Sequence, residues 1–289
     1  MKRAILLIFI ACLCLFPLTG CSPQPQGQIA ATTLPVYEFT SRLCQGTDLQ
    51  VTRLVTENVS CLHDYTLTVG QVKALEGAET VVISGAGLEA FLSQLAPRLG
   101  YVIDSSGHAE TPAAHHDHDH DHDHETEAHI WLSPDHAMEM CRNICAGLTT
   151  KYPQHQSRFE ENLAGLLSDL QNLKEYGLET LKDLSCREII TFHDGFSCLA
   201  ESFDLQILRA VEEESGSEAS ARELIELTQL IRDRALSSIF TERSGSTSAA
   251  QILARETGVA IYTLDMAIAG DSYFDAMYHN IDTLKEALQ

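Results

Sequence analysis

Short apolar, β-branched runs alternate along this chain with stretches in which apolar residues recur every three or four positions. Runs at Gln28–Leu34, Leu49–Thr56, Thr80–Ser84, Tyr101–Asp104, Glu188–Phe192, Leu205–Ala210, Ser238–Thr241 and Val259–Leu264 predict strands. Between them, Val36–Leu43, Val69–Glu76, Gly87–Leu95, Ala221–Arg234 and Thr247–Glu256 predict helices. Such β-then-α alternation predicts parallel sheets with crossover helices. The centre differs. Ser133–Thr149 predicts one helix, with Ser133 as N-cap and Pro134 at the first helical position. Pro153–Leu184 predicts a longer one, its apolar residues Phe159, Leu163, Leu166, Leu170, Leu173, Leu181 and Leu184 stepping by threes and fours, with a gap at Gly177 that marks a kink or an end. The expected fold is α/β: two lobes, each a parallel sheet flanked by helices, joined by a long rigid spine helix. Its expected parts are an N-terminal lobe over 28–150, a spine over 151–185 and a C-terminal lobe over 186–289.

The first residues stand outside this pattern. Lys2 and Arg3 precede the apolar stretch Ala4–Leu15, which is too short for a stable membrane span, so 1–20 predicts an export signal. Leu18-Thr19-Gly20-Cys21 resembles a bacterial lipobox, which implies cleavage before Cys21 and lipidation of its thiol. Residues 21–27 then form a flexible, lipid-anchored tether. No later segment is apolar and long enough to span a membrane. The expectation is a soluble domain held by lipid at the outer face of a bacterial cytoplasmic membrane.

Charge narrows the partners. The formal net charge is −22, and removing the signal leaves 17 basic against 41 acidic residues, or −24. This argues against nucleic acid and anionic headgroups and suits cations. The acidic loop 108–128 carries the run His115-His116-Asp117-His118-Asp119-His120-Asp121-His122-Asp123-His124, followed by Glu125 and Glu127. The run His115–His124 has no apolar side chain to bury, and imidazole is a good ligand for zinc, copper and nickel. Its mid-chain place and its alternation with Asp argue against an affinity tag. His115, His116, His118, His120, His122 and His124 are therefore auxiliary metal-capturing residues. Besides the lipidated Cys21, six cysteines remain in the mature chain (Cys44, Cys61, Cys141, Cys145, Cys186 and Cys198), and their even number permits disulfides without fixing a pairing. Cys141 and Cys145 fall one helical turn apart, where a bond would constrain little, and no CxxC zinc ribbon is present.

Three histidines outside the run stand at element ends. His63 follows the second strand, His129 directly follows the acidic run, and His193 ends the strand Glu188–Phe192. Asp265 follows the last strand, with Asp271 as a competing acid. In open α/β sheets ligands bind beyond the carboxyl ends of strands. Two of these groups come from each half, which places the site in the cleft between lobes.

The segments His63-Asp64-Tyr65-Thr66, Gly85-Ala86-Gly87-Leu88-Glu89, His129-Ile130-Trp131-Leu132-Ser133-Pro134, Thr191-Phe192-His193-Asp194-Gly195-Phe196, Ser217-Glu218-Ala219-Ser220 and Gly270-Asp271-Ser272-Tyr273 carry a resemblance. In order and spacing the chain resembles the ZnuA/TroA-like metal-binding lipoproteins, the solute-binding proteins of zinc and manganese ABC transporters, over nearly its whole mature length. The resemblance implies ligands at His63, His129 and His193, a fourth at Asp265, and a His-rich insertion typical of zinc-selective members. It implies as partners a membrane permease and its ATPase, with the receptor itself a monomer. Where many members carry Pro before the first histidine this chain has Cys61-Leu62, which leaves Cys61 open as a structural cysteine, paired for instance with Cys44, or one near the metal.

Three imidazoles and a carboxylate suit four-coordinate Zn²⁺, with Zn–N near about 2.0–2.1 Å, whereas Mn²⁺ prefers more oxygen. The expected function is capture of zinc in an interlobe site and delivery to a permease, with the run raising the local supply. The alternatives are a manganese or iron receptor of the same family and a surface zinc buffer without transport. A zinc hydrolase would need an open coordination position and an acid–base partner, and no HExxH pattern is present, so the chain is not expected to be an enzyme.

Overall fold

The computed structural model describes residues 28–57, 59, 62, 65–107, 127–212 and 219–289. The export signal, Cys21, Cys61, His63 and the run His115–His124 lie outside them.

Two four-stranded parallel sheets form. The first holds β1 (Ile29–Ala31), β2 (Val51–Arg53), β3 (Thr80–Ile83) and β4 (Tyr101–Asp104) in the order β2-β1-β3-β4. The second holds β5 (Glu188–His193), β6 (Gln206–Glu212), β7 (Ser238–Glu242) and β8 (Ala260–Leu264) in the order β6-β5-β7-β8. The two orders are equivalent, so the two sheets share one topology. All eight strands lie where the apolar runs place them. The first two are shorter, because Gln28 and residues 32–34 carry no ladder and Leu49 and Gln50 enter as irregular chain.

Helix α1 (Leu34–Leu43) follows β1, and α2 (Val69–Gly77) follows β2, opened by a capping box between Thr68 and Gln71. Ser133 caps α3 (Pro134–Lys151), accepting from the His136 N–H, with Pro134 at the first position as expected. The helix expected over Gly87–Leu95 is not continuous. It is replaced by two short 3₁₀ turns, Ala90–Leu92 and Ala96–Arg98. Gly85, Ala86 and Gly87 all have positive φ (86°, 53° and 86°), which pulls the chain out of the right-handed helical region. The Glu89 side chain then folds back, accepting from the Ser84 N–H at 2.7 Å, the Gly85 N–H at 3.0 Å and the Thr32 hydroxyl at 2.6 Å.

The spine is α4 (Gln156–Thr180), preceded by the 3₁₀ turn Pro153–His155. Gly177 does not end it, since the helix runs on to Thr180. A Cβ there would lie 2.2 Å from the Phe203 ring, so the missing side chain admits that ring. The helix is fastened to both lobes. Near its start Asn162 donates to the carbonyls of Leu43 and Gln45 at 2.8 and 2.9 Å, and Asp169 pairs with Arg42. Near its end the Tyr176 hydroxyl donates to Asp282 at 2.6 Å, on the terminal helix α8 (Tyr273–Leu288). The remaining helices are α5 (Ser197–Ser202), α6 (Ala221–Asp233) and α7 (Ser248–Thr257). A single apolar cluster runs from Phe39 and Trp131 through Phe159, Leu166, Leu170 and Leu173 to Phe196 and Tyr273, so one core underlies both lobes.

The described cysteines Cys44, Cys141, Cys145, Cys186 and Cys198 are all free thiols. Burial pushes the Cys44 thiol up to about 12 and raises that of Cys141, which makes both poor nucleophiles. No described helix is long and apolar enough to cross a membrane.

Candidate metal centre

His193 is the last residue of β5, and His129 precedes a single 3₁₀ turn, Ile130–Leu132, that leads into α3. Folding brings the two rings together edge to face, centroids 5.2 Å apart, with only 1% and 3% of the two residues exposed. Burying two imidazoles in contact is unfavourable unless specific partners hold them. Glu127 is one such partner. Its Oε1 accepts from the His129 backbone N–H at 2.8 Å and lies 2.7 Å from His129 Nδ1. A proton on Nδ1 shared with this carboxylate makes Nε2 the lone-pair atom of His129, as a metal-ligating imidazole requires. Burial works to raise the Glu127 carboxyl, but the hydrogen bonds from the His129 ring and backbone, with the charge that ring carries when protonated, outweigh it and hold it below the usual range. Glu127 follows the acidic run in sequence, yet it is buried beside His129. The signal was the Glu-x-His spacing, masked by the acids before it.

Gly195 opens the space beside the rings. A Cβ there would meet His193 Cδ2 and Met266 Cε at 2.7 Å and His129 Nδ1 at 2.9 Å. Only a residue without a side chain admits both rings and the Met266 thioether at once.

Asp265 follows β8 and is held firmly. Its backbone N–H donates to Asn280 Oδ1 and its carbonyl accepts from Asn280 Nδ2, both at 2.7 Å. Its Oδ1 accepts from the Ala267 N–H at 2.8 Å, with Ala267 at φ 53°, and its Oδ2 lies 3.2 Å from Arg243. Asp265 thus stands at the expected strand end, but its contacts are with Arg243 and the chain beyond it. Among the described residues, no three His, Cys, Asp or Glu side chains gather in a metal-holding group. The structure assembles the pair His129 and His193, whereas His63 and the six histidines of the run lie outside the described residues.

The irregular segment after Asp265 also ties the lobes. Met266 accepts from the Trp131 indole, Ile268 from the Leu34 N–H at 3.1 Å and Gly270 from Arg53 at 2.6 Å, while Glu38 accepts from the Tyr273 N–H at 2.6 Å. Sequence reasoning missed this stitching, because every bond in it has a main-chain group on at least one side, and such groups carry no residue signal.

Residues 29–287 match the family described as ZnuA, zinc-uptake complex component A, periplasmic. The chain belongs to this family. The zinc-binding lipoprotein AdcA of Streptococcus pneumoniae (strain ATCC BAA-255 / R6) is 29% identical over 309 residues, an alignment covering 99% of this chain and 61% of AdcA, so the chain spans less than two thirds of that relative. The manganese-binding lipoprotein MntA of Bacillus subtilis (strain 168) is 25% identical over 299 residues, covering 95% of this chain and 96% of MntA. A crystal structure of ZnuA superposes with a TM-score of 0.80 at 26% identity, covering 90% of this chain and 99% of that one. The two parallel sheets and long helix are those of the family fold.

Proposed function

We propose that this chain is the extracytoplasmic zinc-binding component of a metal-uptake ABC transporter. It captures Zn²⁺ between its lobes and hands it to a membrane permease powered by an ATPase. The observation that carries the reading is the buried, T-shaped pair of His129 and His193, with Glu127 fixing the tautomer of the first. His63 supplies a third imidazole and Asp265 the carboxylate, which gives a nitrogen-rich, four-coordinate set suited to zinc over manganese. The zinc-binding relative supports the metal, and the lipoprotein relatives support a lipid on Cys21 with residues 21–27 as tether. The run His115–His124 gathers zinc in weak, multiple sites and raises the local supply. Residues 28–150 and 186–289 act as lobes about the spine 151–185, and small shifts of loops deliver the ion. With protein ligands saturating the ion, no coordination position remains for a substrate, so the chain acts as a receptor and not as an enzyme.

The test is metal content of the mature domain without residues 111–126, wild type beside a His129→Ala/His193→Ala variant. One tight zinc in the first and none in the second is the expected result. Equal zinc in both, or none in either, would refute the reading.

A further inference from the structure

A cation of the protein itself stands beside Asp265. Thr191 of β5 pairs with Phe240 of β7, which puts Glu242 level with His193; Glu242 pairs with Leu264 of β8, and Asp265 comes next. Glu242, Arg243 and Asp265 line one small cleft together with Met266. Gly245 leaves room for Glu242 there, because a Cβ at 245 would lie 2.6 Å from its Cγ. The cleft therefore presents two carboxylates and one guanidinium. Arg243 Nη1 lies 3.2 Å from Asp265 Oδ2. The pair is asymmetric: the Asp265 side chain is 11% exposed, whereas that of Arg243 is 58% exposed. Asp265 is held by Asn280 and Ala267, and Arg243 is the partner with freedom to leave.

We infer that Arg243 is a resident counter-cation that competes with the metal for the Asp265 carboxylate, setting the affinity of the site and easing release of its cargo. This deepens the proposed function and rests on it. A divalent ion ligated by Oδ2 and a guanidinium 3.2 Å from the same oxygen repel one another, so loading requires Arg243 to swing into solvent and unloading lets it return. Its mostly exposed stem makes that exchange cheap, while the fixed carboxylate makes it local. An exposed ion pair is worth up to about 1 kcal/mol, so the competition is worth about fivefold in affinity.

The experiment measures zinc affinity of the intact mature chain by competition with a chelator, and zinc release by transfer to that chelator. It uses wild type, Arg243→Gln, Asp265→Ala and the double variant, all carrying the same His-rich run. Arg243→Gln is expected to bind about fivefold tighter and to release zinc correspondingly more slowly, with no such gain in the Asp265→Ala background. Unchanged or weaker binding in Arg243→Gln overturns the inference, since it would make Arg243 inert or a support for Asp265. An equal gain with and without Asp265 also overturns it, assigning the effect to long-range charge. If His129→Ala/His193→Ala retains the tight zinc of wild type, the functional reading itself has failed, and the inference falls with it. Metal-free Arg243→Gln should melt within about 2–4 °C of wild type, the loss of one ion pair, which separates a binding effect from unfolding.

Discussion

The indole nitrogen of Trp131 donates a 2.8 Å hydrogen bond to the carbonyl of Met266, joining the turn after His129 to the segment after Asp265. Both ends are buried, and the Trp131 carbonyl in turn accepts from the Tyr273 hydroxyl at 2.7 Å. The link makes the two halves of the candidate centre parts of one hydrogen-bonded strap. Trp131→Phe keeps most of the apolar volume and removes the donor. Leaving a buried carbonyl without it costs about 1–3 kcal/mol. Thermal unfolding is expected to fall by several degrees, at about 2–4 °C per kcal/mol, and zinc release to quicken. A variant that melts and releases zinc like wild type would show that the strap carries nothing.

Glu127 gives a test that turns on a single residue. Removing residues 111–126 takes away the His-rich run and leaves the Glu127–His129 pair intact, whereas removing 111–127 takes the carboxylate as well. The longer deletion, like Glu127→Gln, is expected to lower the affinity of the tight zinc by about 10–100-fold. Titration of the two deletions side by side checks this, and equal affinities would mean that His129 needs no carboxylate to orient it.

On the spine, two glycines predict opposite outcomes. Gly165 has nothing within 4 Å of its Cβ position, so Gly165→Ala gains helix propensity alone, about 1 kcal/mol. At Gly177 the same gain is opposed by a methyl 2.2 Å from the Phe203 ring, and overpacking of that kind costs about 1–3 kcal/mol. Chemical denaturation should find Gly165→Ala stabilised and Gly177→Ala destabilised, with zinc binding unchanged in both. A stabilised Gly177→Ala would show that the Phe203 contact yields freely.

Glu89 sets a pH dependence. Burial raises its carboxyl above the ordinary value, against the hydrogen bonds from Thr32, Ser84 and Gly85 that lower it. The folded chain therefore holds this proton more tightly than the unfolded chain does. The contribution to stability is present in full below the unfolded value, about 4.3 for glutamate, and is lost as pH rises through the folded one. Comparing Glu89→Gln with wild type across that range isolates the group: wild type should lose ground to the variant as pH rises. A difference that is flat, or of opposite slope, would contradict the assignment.

Much of the fold was legible because burial leaves a period. The eight strands announced themselves as apolar runs, and Ser133-Pro134 marked the start of α3. What sequence reading misjudged has physical causes. Gly87–Leu95 carries helical spacing, yet three consecutive positive φ values and the lack of an N–H at Pro97 break it into 3₁₀ turns. Pro153 marks a 3₁₀ turn before the spine, which begins three residues later. At the centre, His129 and His193 were readable as histidines at element ends. Glu127, Gly195 and Arg243 were not. Glu127 resembled its acidic neighbours, Gly195 acts by what it lacks, and Arg243 matters through a strand register that only the folded sheet creates.

The continuous core beneath the two lobes has a consequence for how such a receptor can be altered. Phe159, Leu166, Leu170 and Leu173 are covered jointly by elements from both ends of the chain, and α8, the last element, returns to pack on α4. A chain cut at the α3–α4 turn would leave each fragment with apolar surface that only the other can cover. The lobes are thus not interchangeable modules, and a chimera that grafts one half onto a foreign partner must rebuild the spine interface before it can acquire a new metal preference.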